Sequence, residues 1–191
     1  MTFLRPLYTH WNNKFSENER LDIIDQIYKV SYKDEDKTEV ATDVKSGDSL
    51  KNSHSKWCYN KDMTSFSLFD DILYSINKAN QQNFGYNLYP LSSLECLYNR
   101  YEAPFGEYKW HIDDSSDNTS DVKLTAVVNL SKNNSYEGGE FQLNPGMQFS
   151  IPELTPGSMI MFRSSTLHRV LPITKGIRES LTLFIQGPKF S

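Results

Sequence analysis

The chemistry in this sequence is concentrated at three residues, two of which share one short stretch. His111 and Asp113 stand two positions apart, in and just after a predicted strand over 108–112. Because side chains two apart on a strand point to the same face, this pair can converge on one ion. His168, on a later predicted strand, is a third candidate ligand. We therefore predict a metal site made of two imidazoles and one carboxylate.

That ligand set is typical of one kind of metal centre. Two histidines and one carboxylate form the facial triad of non-haem Fe(II) oxygenases, which leaves three coordination positions open on one face of the ion. A chelating cosubstrate can take two of these positions and O2 the third. Zinc normally prefers a closed tetrahedron or a single open position, so it fits this set less well.

A candidate anion site follows His168 in the chain. Arg178 and Ser180 come after a turn at 172–176 and share one strand face by the same period of two. An arginine fork with a hydroxyl beside it matches a carboxylate in bidentate geometry. The pair therefore predicts an anchor for the far end of a dicarboxylic keto acid.

The elements that must position these residues change character along the chain. A capping box at Ser16 and Glu19 and an apolar stripe predict a helix over 16–30, and a second stripe predicts a helix over 65–80. The polar stretch 31–56 predicts mostly loop, with short strands left open, and a candidate lid over the site. Eight strands are predicted after residue 83, over 84–89, 94–101, 108–112, 122–130, 140–143, 158–162, 168–171 and 180–186.

This order predicts a mainly β fold with flanking helices, of the α+β class. Two helices would pack on one outer face of a sheet, and a double-sheet jelly roll would protect the strand edges. At 191 residues we expect one domain over 1–191, with helical support and the polar loop in 1–83 and the jelly-roll core in 84–191.

Composition narrows the partners and the compartment. The formal charge is −4, with 38% hydrophobic residues, and no stretch approaches the ~20 apolar residues of a membrane span. The mild acidity argues against nucleic acid as a partner, because phosphate contacts need clustered Lys and Arg. Cys58 and Cys96 cannot form a disulfide framework and suit a reducing compartment, so we expect a cytoplasmic protein. The oligomeric state stays open.

Several further segments carry a family resemblance when they are taken together with His111-x-Asp113. They are Lys51-Asn52-Ser53 with Trp57, Tyr101, Tyr136-Glu137-Gly138-Gly139-Glu140-Phe141, Pro156-Gly157-Ser158, His168-Arg169-Val170-x-Pro172 and Gly176-x-Arg178-x-Ser180. In this combination the chain resembles the Fe(II)/2-oxoglutarate dioxygenases of the prolyl-4-hydroxylase-like branch over most of its length. The resemblance implies a double-stranded β-helix, His111, Asp113 and His168 on Fe(II), Arg178 on the distal carboxylate of 2-oxoglutarate, and Tyr101 lining the cosubstrate pocket.

The sequence departs from that family at three positions. Phe184 replaces a usual Trp, Asn129 stands where several relatives place a Tyr that helps hold 2-oxoglutarate, and Arg163 replaces a common Pro. These changes concern the cosubstrate pocket and its mouth and spare the iron ligands. Candidate substrate contacts at the mouth are Trp57, Tyr98, Trp110 and Arg169.

The resemblance implies hydroxylation of a C–H bond coupled to decarboxylation of 2-oxoglutarate to succinate and CO2, with O2 as oxidant and ascorbate as a candidate reductant. Asp113 favours hydroxylation over halogenation, because related halogenases lack this carboxylate. The expected substrate is a peptidyl proline or a free amino acid. Two alternatives stay open: a noncatalytic jelly-roll module that binds metal, and a zinc hydrolase with Glu140 or Glu102 as general base.

Overall fold

The computed structural model describes residues 6–30, 37–38, 50–59, 67–91, 94–113, 120–144 and 153–189. Within these ranges the chain is built from strands that form two sheets, with helices before the main run of strands. The strands are β1 (Tyr8–Trp11), β2 (Lys37–Thr38), β3 (Lys51–Asn52), β4 (His54–Tyr59), β5 (Glu95–Glu102), β6 (Glu107–His111), β7 (Ser120–Asn129), β8 (Tyr136–Gly138), β9 (Phe141–Asn144), β10 (Met159–Arg163), β11 (Leu167–Val170) and β12 (Ile173–Pro188).

The two sheets form the double-sheet architecture that the strand pattern predicts. The major sheet has the order β1-β10-β7-β12-β5-β4-β2, with β8 paired to the first part of β12, and the minor sheet has the order β3-β6-β11-β9. An apolar core between the sheets joins Val127 and Ile160 of the major sheet to Phe141 and Val170 of the minor one. The predicted jelly-roll class is confirmed.

Two helices, α1 (Glu17–Val30) and α2 (Ser67–Ala79), cover the other face of the major sheet. Ile23 of α1 and Ile72 of α2 are fully buried there, in a second core with Leu124, Leu181 and other residues of the central strands. Every second residue of a central strand therefore faces the helices, and the residues between face the minor sheet.

One predicted strand, over 84–89, is wrong. The chain continues from α2 into a π-helical turn (Asn80–Phe84) that ends at Gly85 in the left-handed conformation. The Asn80 side chain then accepts a hydrogen bond from the backbone N–H of Tyr86 and donates one to its carbonyl oxygen. Because these bonds occupy backbone groups that a strand would use, the segment runs as irregular chain.

The other seven predicted strands are present with shifted ends, and the polar stretch 31–56 contains short strands, which the sequence analysis left open. Residues 51–52 and 54–59 form β3 and β4, which pair with β6 and β5. Residues 31–36 and 39–49, which carry most of the predicted lid, lie outside the described residues. None of the described helices has both the length and the apolar character that a membrane crossing requires.

Candidate metal centre and anion pocket

A cavity of about 280 Å³ opens between the two sheets and brings the predicted metal ligands together. His111 at the end of β6 and His168 on β11 stand directly opposite each other in the minor sheet. Asp113 follows two residues after His111, and its backbone N–H donates to the carbonyl oxygen of Ser164 at 3.0 Å. Strand pairing therefore sets the two imidazoles side by side, and a backbone bond fixes the carboxylate next to them.

The ligand atoms of these three residues lie within 4.8 Å of one another, as one metal ion requires. Asp113 Oδ1 is 3.6 Å from His111 Nε2, and Asp113 Oδ2 is 3.4 Å from His168 Nε2. The side chains are 4–9% exposed, so an ion held between them is largely screened from solvent. Among the residues that the structure describes, this is the one such cluster of His, Cys, Asp or Glu.

Backbone carbonyls orient both imidazoles for metal binding. His111 Nδ1 lies 2.8 Å from the carbonyl oxygen of Lys109, and His168 Nδ1 lies 2.9 Å from that of Thr166. A carbonyl oxygen can only accept, so each Nδ1 carries the proton and each Nε2 presents a lone pair to the cluster. The neutral tautomer that binds metal is thereby selected at both histidines.

The electrostatics of the cluster keep its members in the forms that bind a cation. Burial, followed by the neighbouring His168, lowers the pKa of His111 to about 4. Burial alone acts to raise the pKa of Asp113, but its neighbours His168, His111 and Thr125 lower it. Near neutral pH the site therefore offers a neutral imidazole at His111 and an ionised carboxylate at Asp113.

Thr125, which the sequence analysis did not assign, holds the carboxylate in place. This fully buried β7 residue donates from Oγ1 to Asp113 Oδ2 at 2.8 Å. An oxygen that already accepts a hydrogen bond is a weaker second ligand, so the contact favours binding of the metal through Oδ1 alone. Monodentate binding leaves three coordination positions open rather than two.

Arg178 forms the second part of the site and fits the predicted anion anchor. Its side chain is 1% exposed and lines the cavity, yet Nε and both terminal nitrogens have no hydrogen-bond partner among the described residues. A buried cation without partners is costly unless an anion completes its surroundings. The residues present therefore fit a carboxylate ligand beside the metal cluster.

Ser180 and Tyr101, the other predicted cosubstrate contacts, lie on the same wall as Arg178. Ser180 is two residues further along β12, and Tyr101 stands opposite Arg178 on β5. The Tyr101 ring centre is 5.7 Å from the guanidinium carbon of Arg178, and burial raises the pKa of its phenol. Its hydroxyl consequently stays protonated and able to donate.

Gly139 provides the space for this arginine. A Cβ at this position would lie 2.2 Å from Ile173 Cδ1 and 3.1 Å from Arg178 Cδ, and the backbone has a φ of +68°. Both the conformation and the close approach require glycine here. The Gly138-Gly139 pair noted in the sequence thus shapes the anion pocket as well as the turn.

Of the four candidate substrate contacts, one lines the cavity and three lie elsewhere. Trp57 lines the cavity, with its ring centre 5.8 Å from that of Phe184 at the mouth. Trp110 and Arg169 are not among the lining residues and instead contact each other, with the guanidinium 4.4 Å from the Trp110 ring centre. Tyr98 does not lie at the cavity mouth as predicted. It is buried in the helix-side core, where its hydroxyl donates to Glu179.

Strand alternation could have identified both this error and several residues that were missed. Tyr101 faces the cavity, so Asn99 and Leu97 do as well, while Tyr98 between them must face the helices. The same rule extends the cavity wall on β12 from Ser180 to Thr182 and Phe184. Lys51, noted only as part of a family motif, also lines the cavity.

The departure from the family at Asn129 has a local explanation. Asn129 is fully buried, donates to the Tyr136 hydroxyl and the Leu154 carbonyl oxygen, and accepts from the Ser131 N–H. It is not among the cavity-lining residues, and Thr125 is engaged with Asp113. Asn129 therefore acts as a hydrogen-bonded support of the strand end.

The zinc hydrolase alternative lacks a general base in the cavity. Neither Glu102 nor Glu140 lines it, and Glu102 instead binds Arg100 at 3.0 Å. Asp113 supplies the one carboxylate among the described lining residues. A hydrolase with either glutamate as base is therefore not supported by the geometry.

Fold and site together define a class: a jelly roll with a two-histidine, one-carboxylate metal centre beside a buried anion pocket. Comparison with known proteins agrees. Residues 96–186 match the model of the 2OG-Fe(II) oxygenase superfamily. This part of the chain contains the whole candidate metal cluster and Arg178.

The chain is also similar to individual known proteins. A PKHD-type hydroxylase of Shewanella oneidensis is 35% identical over 102 residues, which cover 51% of this chain and 45% of that protein. A Pseudomonas putida prolyl-4-hydroxylase shares the fold with a TM-score of 0.66 at 16% identity, covering 96% of this chain and 94% of that one. A viral collagen prolyl hydroxylase from Paramecium Bursaria Chlorella virus-1, solved with 2OG, has a TM-score of 0.65 at 18% identity, covering 95% and 97%. The chain spans about half the length of the curated relatives it matches.

Proposed function

We propose that this protein is an Fe(II)/2-oxoglutarate-dependent dioxygenase that hydroxylates a C–H bond of a second substrate. The observation that carries the proposal is the meeting, in one cavity, of the His111, Asp113 and His168 cluster with the unpartnered Arg178. A metal site retained only for stability has no use for a buried arginine beside it. A centre that binds a dicarboxylic keto acid and a metal together needs both.

The three ligands have distinct tasks in this proposal. His111 and His168 bind Fe(II) through Nε2, since Nδ1 of each is held by a backbone carbonyl. Asp113 binds through one oxygen while Thr125 holds the other. Bound Fe(II) supplies the reaction with O2 that converts 2-oxoglutarate to succinate and CO2 and places one oxygen atom in the substrate.

The pocket around Arg178 orients the cosubstrate and excludes water from it. Arg178 binds the distal carboxylate, with Ser180 and the protonated Tyr101 hydroxyl as supporting donors. Because Arg178 and Ser180 are 1% and 2% exposed, their bonds to a carboxylate form out of contact with solvent. The same burial keeps water away from the open metal positions.

The retained carboxylate at Asp113 supports hydroxylation over halogenation, since a halide ligand would need that position. The names of the relatives, PKHD-type hydroxylase and prolyl-4-hydroxylase, support a peptidyl proline or an amino acid as substrate. The buried thiols of Cys58 and Cys96, which are not joined in a disulfide, support a reducing compartment such as the cytoplasm. The net charge of −4 gives no support to a nucleic-acid partner.

Turnover of 2-oxoglutarate separates this proposal from a noncatalytic metal-binding module. The purified chain, supplied with Fe(II), O2, ascorbate and 2-oxoglutarate, is expected to form succinate and CO2 slowly without substrate and faster with one. Asp113→Ala is expected to abolish succinate formation. Lys78→Met, which replaces an exposed lysine on α2, is expected to retain it. Fe(II) binding by folded protein without any succinate would establish the binding module instead.

A further inference from the structure

Strand β6 is irregular where it reaches the metal cluster. In its pairing with β11, His111 stands opposite His168 and Tyr108 stands opposite Val170. Two residues of β6, against one of β11, lie between these pairs, so β6 carries one extra residue. Such a β-bulge redirects the side chains around it and is frequent beside active sites.

The bulge brings Tyr108 and His111 to the same face of the sheet. Residues three apart on a regular strand point to opposite faces, yet both of these line the cavity. The two residues of the bulge, Lys109 and Trp110, are exposed, and the Trp110 ring contacts Arg169, which stands opposite the bulge on β11. The bulge therefore accounts for the position of Trp110 and Arg169 outside the cavity.

The bulge fixes the His111 ring in two ways. The Lys109 carbonyl oxygen accepts a hydrogen bond from His111 Nδ1 at 2.8 Å. The Tyr108 ring stacks on the imidazole, with the ring centres 3.4 Å apart and the planes tilted by 13°. The hydrogen bond selects the tautomer, but the torsion that turns a histidine ring has only a broad preference of its own. The stacked tyrosine restricts that rotation, because turning the imidazole would break the ring contact.

The second histidine of the cluster is held by the core instead. His168 is 4% exposed, and its ring centre lies 4.8 Å from that of Phe162 and 5.8 Å from that of Phe141. Both phenylalanines belong to the apolar core between the sheets. His111, by contrast, is the last residue of its strand. Tyr108 therefore supplies at the strand end the ring contact that the core supplies to His168.

Tyr108 is held in turn by the short strand β3. Lys51 stands opposite Tyr108 in the pairing of β3 with β6, and its ammonium lies 5.3 Å from the centre of the tyrosine ring. A cation over the face of an aromatic ring is attracted to it. These contacts come from the chain itself, so the position of the ring does not depend on a bound substrate.

We propose that the bulge in β6 positions the metal centre, with Tyr108 as a positioning residue that keeps the His111 imidazole directed at the metal. This inference rests on the proposed function, since it takes His111 as a ligand of Fe(II). Tyr108 acts through the orientation of His111. Its removal is therefore expected to weaken metal binding, and the aromatic ring rather than the hydroxyl is the part that matters.

Anaerobic titration of the full chain with Fe(II) tests this role. Tyr108→Leu removes the ring and is expected to weaken Fe(II) binding about 10-fold, the lower end of the range for groups that orient a metal ligand. Tyr108→Phe keeps the ring and is expected to bind Fe(II) nearly as tightly as the wild type. Trp110→Leu, which removes an aromatic ring from the outer side of the same bulge, is the matched control and should retain wild-type affinity.

A second measurement reports the ring contact itself and needs no metal. In the imidazole proton–carbon NMR spectrum of the metal-free protein, the stacked ring is expected to shift the His111 signals upfield. These signals are identified as the ones that His111→Ala lacks. Tyr108→Phe should keep the upfield shift, and Tyr108→Leu should lose it. Tyr108→Met takes the place of Tyr108→Leu in both measurements if the leucine variant does not fold.

The inference is wrong if the folded variant without the ring binds Fe(II) as tightly as the wild type, or if its His111 signals do not move. It is equally wrong if Tyr108→Phe or Trp110→Leu loses as much affinity as Tyr108→Leu. In each of these cases a wild-type protein that binds Fe(II) leaves the proposed function intact. A folded wild-type protein that binds no Fe(II) contradicts the proposed function and this inference with it.

Discussion

Asp113 depends on a single hydroxyl for its orientation. The Thr125 bond to Asp113 Oδ2 restricts the carboxylate to one free oxygen. We predict that Thr125→Val, which keeps the shape and removes the hydroxyl, weakens Fe(II) binding about 10-fold, the usual effect of losing a bond to a metal ligand. Titration with Fe(II) under anaerobic conditions measures this.

The conservative variant Thr125→Ser is the control for that experiment. It retains the hydroxyl and is expected to bind Fe(II) nearly as the wild type does. Equal affinity in the valine variant would show that the backbone bond from Asp113 to Ser164 suffices to orient the carboxylate.

Arg178 is predicted to lower the stability of the protein without ligand. Its guanidinium is buried with no hydrogen-bond partner among the described residues, so removal of the charge relieves a desolvation cost. We expect Arg178→Met to raise the unfolding free energy of the metal-free protein by about 1–4 kcal/mol. Urea unfolding of both proteins, with and without 2-oxoglutarate, measures the effect.

The same variant should lose the stabilisation that 2-oxoglutarate gives to the Fe(II)-loaded wild type. A variant that is less stable than the wild type and still responds to 2-oxoglutarate would mean that Arg178 is a structural residue. Arg169→Met, on the outer contact with Trp110, is the matched control and should leave the response to 2-oxoglutarate intact.

At the scale of single residues, sequence patterns located the candidate metal and anion ligands in the cavity, but most of the candidate substrate contacts lie outside it. A period of two was enough to pair His111 with Asp113 and Arg178 with Ser180. The same period, applied to β5, places Tyr98 on the face opposite to Tyr101, three residues later, so Tyr98 and Tyr101 cannot both face the cavity. Because both faces of β5 carry large apolar residues, apolar character alone did not reveal this.

At the scale of secondary-structure elements, the turn after β8 shapes the pocket around Arg178 through Gly139. A Cβ there would collide with Ile173 and press on the Arg178 stem at a φ of +68°. We predict that Gly139→Ala costs about 1–3 kcal/mol of stability and also raises the KM for 2-oxoglutarate. Chemical denaturation and succinate kinetics at permissive temperature test the two effects.

Gly157→Ala is the matched control for this strain. Its φ is +85°, and a Cβ would lie 2.2 Å from the Phe15 carbonyl oxygen, outside the cavity. It should lose at least as much stability, because the added Cβ meets backbone rather than the end of a side chain, while the folded fraction keeps its KM for 2-oxoglutarate. An equal rise in KM in both variants would remove the link between Gly139 and Arg178.

The sequence predicted where the helices begin and end better than it predicted which of their residues are buried. The capping box is present, with the Ser16 N–H donating to Glu19 at 2.8 Å. The buried face of α1, however, contains Ile23 and Ile27, whereas the apolar residue Leu21 of the same helix is 37% exposed. Arg20 is buried instead, bonded to the Ser131 carbonyl oxygen, a partner distant in sequence that no local pattern reveals.

Short strands were the elements that local patterns located least well. β1 has four residues and exists through pairing with β10, more than a hundred residues later. β3 has two residues and forms against β6. Because pairing partners rather than propensity make such strands, a search along the chain finds only the longer ones.

At the scale of the whole molecule, the two faces of the major sheet have different roles, one in packing against the helices and one in forming the cavity. One face packs on α1 and α2, and the other carries the cavity and faces the minor sheet. This division follows from spacing that is visible in the sequence, which is why the fold class could be predicted. The placement of Lys51 in the cavity could not, since it depends on how β3 joins the minor sheet.

The most direct test of the central claim is the visible charge-transfer band of a keto acid chelated to Fe(II). Fe(II) and then 2-oxoglutarate are added to the metal-free protein without O2, in parallel with His111→Ala and Arg178→Ala. We predict a weak band in the wild type, no band in His111→Ala, and a band in Arg178→Ala only at much higher 2-oxoglutarate concentration. A folded wild-type protein that gives no band, or an Arg178→Ala variant with wild-type affinity, would contradict the assignment.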